Sequence, residues 1–264
     1  MGRSLLFHKT LLYPRLFQFG HFAIPTYGAF TALALVSALA ALRYFAHRLG
    51  LNANKAWNLG LIGILTALIA ARLLLVIVHF HAFRRQPFWV LGVTAVHSSW
   101  IDEFALAIGF AAAILYALAE GLPILRTLDC IAPSAALAIV FNRAGALFAG
   151  LDYGLPAAHA RGITYTNLIA NFWYGTPLGI KLYPVQIYEA LASLAILVGL
   201  IWWLPRRTQD GELWGTWLFL YGAAVFFLAF YRAADQTHWV LHQPIAIFMV
   251  IASAAFLLRR RPMA

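Results

Sequence analysis

The chain has 264 residues, 63% of them hydrophobic and only 11% charged, with a mean hydropathy of +0.78. Soluble domains carry about 25% charged residues, so this composition, with several apolar runs near twenty residues, excludes an ordinary soluble domain and implies one polytopic bundle in a bilayer. The lysines and arginines behind the net charge of +10 lie in short loops between apolar runs, which points to anionic lipid head groups and not to nucleic acid.

The start of the chain, residues 1–21, is basic, aromatic and broken by Pro14, which predicts an interfacial segment. No small-residue cleavage site follows a compact apolar core, so no removable signal peptide is expected. Seven spans are predicted, near residues 24–43, 57–79, 104–119, 131–148, 185–204, 214–230 and 244–258, with Asn52 capping the second. Residues 81–103 hold an apolar piece too short to cross, and predict a re-entrant or surface segment that offers His97 to a cavity. Residues 151–183 are rich in Gly, Pro and aromatics and predict an outer-face loop on the membrane surface. All of this reads as a single domain, 1–264. An odd number of crossings puts the two ends on opposite sides, and Arg259, Arg260 and Arg261 argue for a cytoplasmic C-terminus.

The stretch DCIAPSAALAIVFNRAGALFAGLDYGLP, residues 129–156, organises the rest. It places Arg143 inside an apolar run, where insertion of an arginine costs about 2.5–3.5 kcal/mol. Arg72 stands in the second span in the same way. Either guanidinium could hold a phosphate two oxygens at a time. Either could instead pair with Glu189 or Asp152 as a packing device. His97, followed by Ser98 and Ser99, is a candidate general base. Glu189 opens the fifth span beside Gln186 and Tyr188, where a helix dipole favours a carboxylate or where it orients an arginine. Tyr27 and Tyr221, each followed by Gly, could bond a lipid head group. Cys130 reads as a packed small hydrophobe. His79 and His81 lack a third ligand at a usable spacing, so no metal is expected, and no soluble cofactor is needed.

These residues fall in motifs. FGHFAIPTYGAF carries Tyr27, AARLLLVIV carries Arg72, and VTAVHSSWI carries His97. NRAGALFAGLDYG carries Arg143, Gly145, Gly150 and Gly154. YPVQIYEA carries Gln186, Tyr188 and Glu189, and LYGAAVFFLAFYR carries Tyr221 and Arg232. In this order, over nearly the whole chain, they resemble the bacterial prolipoprotein diacylglyceryl transferase family. The resemblance implies an all-α inner-membrane transferase. It would move diacylglyceryl from phosphatidylglycerol to the lipobox cysteine of a prelipoprotein, with glycerol phosphate as leaving group. It implies His97 and Arg143 as catalytic residues. It implies Tyr27, Arg72, Gly145, Gly150, Gly154, Gln186, Tyr188, Glu189, Tyr221 and Arg232 as substrate-binding residues.

The chain also departs from the family pattern. Ala146 and Ala149 replace two asparagines, Leu151 replaces a glutamate, and Tyr183 replaces a histidine. Ser98 and Ser99 replace two glycines, and Val225 and Ala229 stand where the family has an arginine and a glutamate. Asp152, one residue on, could substitute for the lost glutamate, but a helix would aim it about 100° away. A divergent transferase, a related transferase with another acceptor, and a non-catalytic or repurposed paralogue that binds lipid or a membrane partner are therefore the readings to separate. A small-solute transporter is disfavoured by the lack of an internal repeat. Arg143, Tyr27, Glu189 and His97 are expected to face one interior cavity open to lipid and to the outer surface.

Overall fold

A long apolar segment can satisfy its backbone in hydrocarbon only as a helix or in a closed barrel. The computed structural model, which describes residues 13–19, 22–85, 99–157, 162–233 and 239–259, takes the helical solution. Its helices are α1 (Thr26–Arg48), α2 (Ala53–Val78), α3 (Phe80–Arg85), α4 (Ser99–Ala119), α5 (Ile124–Ala149), α6 (Leu168–Tyr174), α7 (Val185–Trp203), α8 (Glu212–Ala229) and α9 (Trp239–Arg259). Six of them, α1, α2, α4, α5, α7 and α8, are long and apolar enough to cross a membrane. The seventh expected span is α9, whose 21 residues rise about 31 Å, close to the ~30 Å hydrocarbon core. The chain is an all-α polytopic membrane protein.

Several helices start earlier than the hydropathy suggested, α4 and α5 among them. α4 begins at Ser99 and takes Asp102 into its first turn, where the helix dipole welcomes an anion. α5 begins at Ile124 after Pro123, so Asp129 and Cys130 lie inside the helix. Asn52 caps α2 as expected, accepting from the main-chain N–H groups of Asn54 and Lys55. His97 and its neighbour Ser98 lie outside the described residues, as do residues 86–96.

The bundle is centred on α5, which packs against α1, α7 and α8, while α2 pairs with α4 and α8 with α9. Small residues permit these approaches. A Cβ on Gly109 of α4 would lie 2.4 Å from the Gly63 carbonyl oxygen of α2. Large apolar side chains instead face outward: Leu65, Ile69, Leu73 and Ile77 repeat every four residues on one exposed face of α2. Lipid is the solvent such a stripe requires.

Charges are buried by contrast. Asp129 of α5 is fully buried. Its carboxylate accepts from the main-chain N–H of Gly211 at 2.7 Å and of Trp214 at 3.0 Å, and from Arg207 at 2.9 Å. α8 starts after a glycine that offers no side-chain cap, so α5 supplies the acceptor from a neighbouring helix. Asp210 extends the group, accepting from Arg126 and Arg207.

Strands occur only as short ribbons among the described residues. Part of the segment expected to be interfacial forms an antiparallel hairpin, β1 (Arg15–Phe19) with β2 (Phe22–Pro25). The loop after α5 builds a second ribbon. β3 (Ile163–Thr164) pairs with β4 (Lys181–Leu182), Leu182 also pairs with Pro156, and Gly154 pairs with Arg232. Main-chain bonds Gly154 N–H to Tyr183 O (3.0 Å), Leu155 N–H to Tyr231 O (2.8 Å) and Ala233 N–H to Tyr153 O (3.3 Å) stitch the segments together. The exits of α5 and α8 and the entry of α7 are thereby held side by side.

Candidate functional site

That stitching gathers one charged group from each of three segments. Arg143 comes from α5, 14 residues and about 21 Å along the axis from Asp129. Glu189 stands in the second turn of α7, and Arg232 lies just beyond α8. Arg143 Nε is 3.1 Å from Glu189 Oε1, and Arg232 Nη2 contacts Glu189 Oε2. Tyr221 donates its hydroxyl to Glu189 Oε1 at 2.8 Å and stacks on Trp217 with an interplanar angle of 4°. Glu189 side-chain exposure is 2%, against 17% for Arg143 and 9% for Arg232. One carboxylate thus bridges two guanidinium groups in a place that water hardly reaches.

A second carboxylate completes the group. Asp152 pairs with Arg143 Nη1. The angular objection to Asp152 does not apply, because α5 ends at Ala149 and Gly150 turns left-handed with φ +87°. Two cations and two anions therefore balance. Hydrogen-bonding capacity is left over: Arg143 Nε, Arg232 Nε and Gln186 Oε1 are buried without a hydrogen bond among the described residues. Arg143 Nε lies near Glu189, but the approach does not make a hydrogen bond.

Tyr27 joins this group through Asn142, whose Nδ2 donates to the Tyr27 hydroxyl at 3.2 Å and to Thr31 Oγ1 at 3.4 Å. Gln186 is a brace. Its Nε2 donates to the Leu151 carbonyl and to the Tyr165 hydroxyl, which in turn donates to Leu147 O at 3.2 Å. Burial raises the Tyr165 phenol above its ordinary range and pushes Tyr174 up to about 12, so both stay neutral donors near pH 7.

Three glycines expected to bind substrate have packing reasons in this fold. A Cβ on Gly145 would lie 2.5 Å from Phe30 Cβ, so this glycine lets α1 and α5 meet. Gly150 needs its positive φ, and Thr176 Oγ1 sits 2.8 Å from where a Cβ would be. A Cβ on Gly154 would lie 2.6–2.7 Å from atoms of Tyr231 and Tyr183, which cross it there. Tyr188 points away, 40% exposed on the outside of α7. Arg72 packs over the Phe83 ring at 5.9 Å, and the guanidinium that shares Glu189 with Arg143 is that of Arg232. Val225 and Ala229 are partly buried in α8, seven and three residues before Arg232. His97 lies outside the described residues.

Sequence reasoning passed over Asn142, Tyr165 and Thr176, whose hydroxyl donates to the Gly150 carbonyl at 2.8 Å, as site or bracing residues. Asn142 alone left a signal, an amide beside an arginine in an apolar run. Tyr165 and Thr176 lie in the long loop, where periodicity says nothing.

The chain is 27% identical to a phosphatidylglycerol–prolipoprotein diacylglyceryl transferase of Clostridium tetani over 241 residues, covering 90% of this chain and 94% of that one. A protein of the same name from Oceanobacillus iheyensis is 24% identical over 254 residues, covering 92% and 86%. One from Acinetobacter baumannii is 28% identical over 235 residues, covering 85% and 83%. The family model for prolipoprotein diacylglyceryl transferase matches residues 14–259, and the chain belongs to that family.

Proposed function

We propose that this chain transfers the diacylglyceryl group of phosphatidylglycerol to the cysteine thiol of a prelipoprotein in the bacterial inner membrane. The observation that carries the reading is the pair Arg143 and Arg232, bridged by Glu189 and each keeping a buried Nε–H without a hydrogen bond. Two neighbouring guanidiniums with donors to spare suit the non-bridging oxygens of a phosphodiester. The names carried by its relatives give the donor and acceptor classes and lend no support to a repurposed paralogue.

In this mechanism the lipid phosphate, a monoanion, meets Arg143 and Arg232. His97 takes the proton from the acceptor thiol, since the thiolate is the competent nucleophile. Sulfur bonds to the glyceryl carbon as that carbon's bond to the phosphate oxygen breaks, and the electron pair leaves with the oxygen. The products are a thioether and glycerol phosphate. The leaving phosphate gains a unit of negative charge during the step, so the cations bind the transition state more tightly than the ground state. Tyr27 of α1 and Asn142 of α5 line the approach, and Tyr221 fixes Glu189. The outer loop, residues 151–183, faces the side from which prelipoprotein arrives, with the C-terminus cytoplasmic.

The test is purified protein in phosphatidylglycerol vesicles with a cysteine-containing lipobox peptide. Mass spectrometry should show the peptide gaining a diacylglyceryl thioether, with stoichiometric release of glycerol phosphate. Folded protein that forms no thioether in these vesicles would refute the reading.

A further inference from the structure

Asp152 is the sole non-glycine residue with positive φ among the described residues, at +55°. L-residues avoid this backbone region, and Asp and Asn are among the few that tolerate it. The turn is held on both sides. Before it, Gly150 N–H and Leu151 N–H both bond the Ala146 carbonyl at 2.9 Å, and Gln186 holds the Leu151 carbonyl. After it, Tyr153 is buried and Gly154 is paired with Arg232. The result of this costly turn is that the Asp152 carboxylate folds back nine residues onto Arg143. Nothing in the helix alone would bring it there.

We infer that Asp152 is a positioning residue: its carboxylate fixes the Arg143 guanidinium for phosphate capture, and the left-handed turn exists to present it. The inference rests on the transferase reading above. Glu189 is shared between two arginines and faces the Arg143 Nε edge as a charge without a hydrogen bond, whereas Asp152 accepts a hydrogen bond from Nη1. Hydrogen-bonded at Nη1 and faced by the Glu189 charge at Nε, the planar guanidinium keeps one orientation. With Asp152 gone it rotates about its remaining contact with Glu189. Attraction to the lipid phosphate survives because the cation survives, but the aim is lost. Misplacement of a catalytic group by about 1 Å can cost about 100-fold in rate.

The chemistry of the turn supplies clean variants. Asp152→Asn keeps a side chain suited to positive φ and removes the charge. Asp152→Gly relaxes the backbone and also removes the charge. If the turn alone mattered, both would behave as wild type. Both are expected to lower kcat about 10- to 100-fold while KM for phosphatidylglycerol stays within about twofold, the split expected when uniform binding survives and transition-state contacts do not. A second readout does not need turnover. Phenylglyoxal labelling of Arg143, followed by peptide mass spectrometry, should accelerate several-fold in both variants as the guanidinium is freed. Wild-type kcat in the two variants, or an unchanged Arg143 labelling rate, would overturn the inference. An inactive wild type would instead refute the transferase reading, and the labelling rates would still decide whether Asp152 holds Arg143.

Discussion

Glu189 and Arg232 meet across the gap between α7 and the end of α8, and the same carboxylate reaches Arg143 of α5 with its other oxygen. The contact joins three transmembrane segments through one side chain. It also makes Glu189 the group on which the charge balance of the site depends.

Removal of that balance should be severe. Glu189→Gln leaves two cations facing each other with only Asp152 to answer them, and breaking a buried pair from one side costs about 3–5 kcal/mol. Thermal unfolding in detergent should show a large loss of stability. Glu189→Gln combined with Arg232→Met leaves Arg143 balanced by Asp152, so the double variant should recover part of the loss. A double variant that loses the sum of the two single changes would show that the pair is not coupled.

Gly145 offers a test of packing against ligand binding. Gly145→Ala sets a methyl group 2.5 Å from Phe30 Cβ, and overpacking of this kind costs about 1–3 kcal/mol. Gly199 of α7 has nothing within 4 Å of its Cβ position, so Gly199→Ala should be neutral or stabilising, as helix propensity favours alanine. Melting temperatures of the two variants, measured side by side, check the contrast.

The far end of α5 should matter for stability and not for turnover. Asp129→Ala strips the cap from α8 and leaves Arg207 without its buried partner. A loss of about 3 kcal/mol or more is expected. The fraction that remains folded should keep wild-type turnover, because the reacting groups lie about 21 Å away along the helix. Turnover per folded molecule, quantified by size exclusion, is the measurement.

Asp210 gives a pH dependence with a definite sign. Hydrogen bonds from Arg126, then Arg207, hold its carboxyl below the usual range. A carboxyl with a lowered folded-state pKa adds stability above its unfolded value, about 3.9, and loses it as pH falls through the folded-state value. Wild type should therefore melt above Asp210→Asn at neutral pH. The gap should begin to close as pH falls below about 4, when melting temperatures are taken from pH 7 downward.

The spans were legible because a run of about twenty residues with few charges has few other uses, and Asn52 marked a boundary through its own chemistry. α4 and α5 were cut short for the same reason: Asp102 and Glu103 were assigned to the re-entrant or surface segment and Asp129 was left just before the span, although a helix dipole and a neighbouring helix terminus make places for them. Arg143 and Glu189 were legible as charges out of place. Pairing of Arg143 with Glu189 or Asp152 was among the readings, and both contacts form; the arrival of Arg232 in the group was not legible, because it rests on main-chain pairing of residues 154 and 232, which no side-chain period records. Arg72 looked equivalent to Arg143 in sequence, since hydropathy does not record which of the two guanidinium groups Glu189 reaches. Gly150 was visible as a glycine, and its left-handed turn, which decides where Asp152 points, was not.

Complementation tests the central claim most directly. A bacterial strain depleted of its own diacylglyceryl transferase is supplied with the wild-type chain or with Arg143→Ala, each verified for membrane insertion. The account predicts growth and lipid-modified lipoproteins with wild type, and neither with Arg143→Ala. Equal rescue by both chains would contradict a phosphate-holding Arg143, and no rescue by an inserted wild-type chain would contradict the transferase itself.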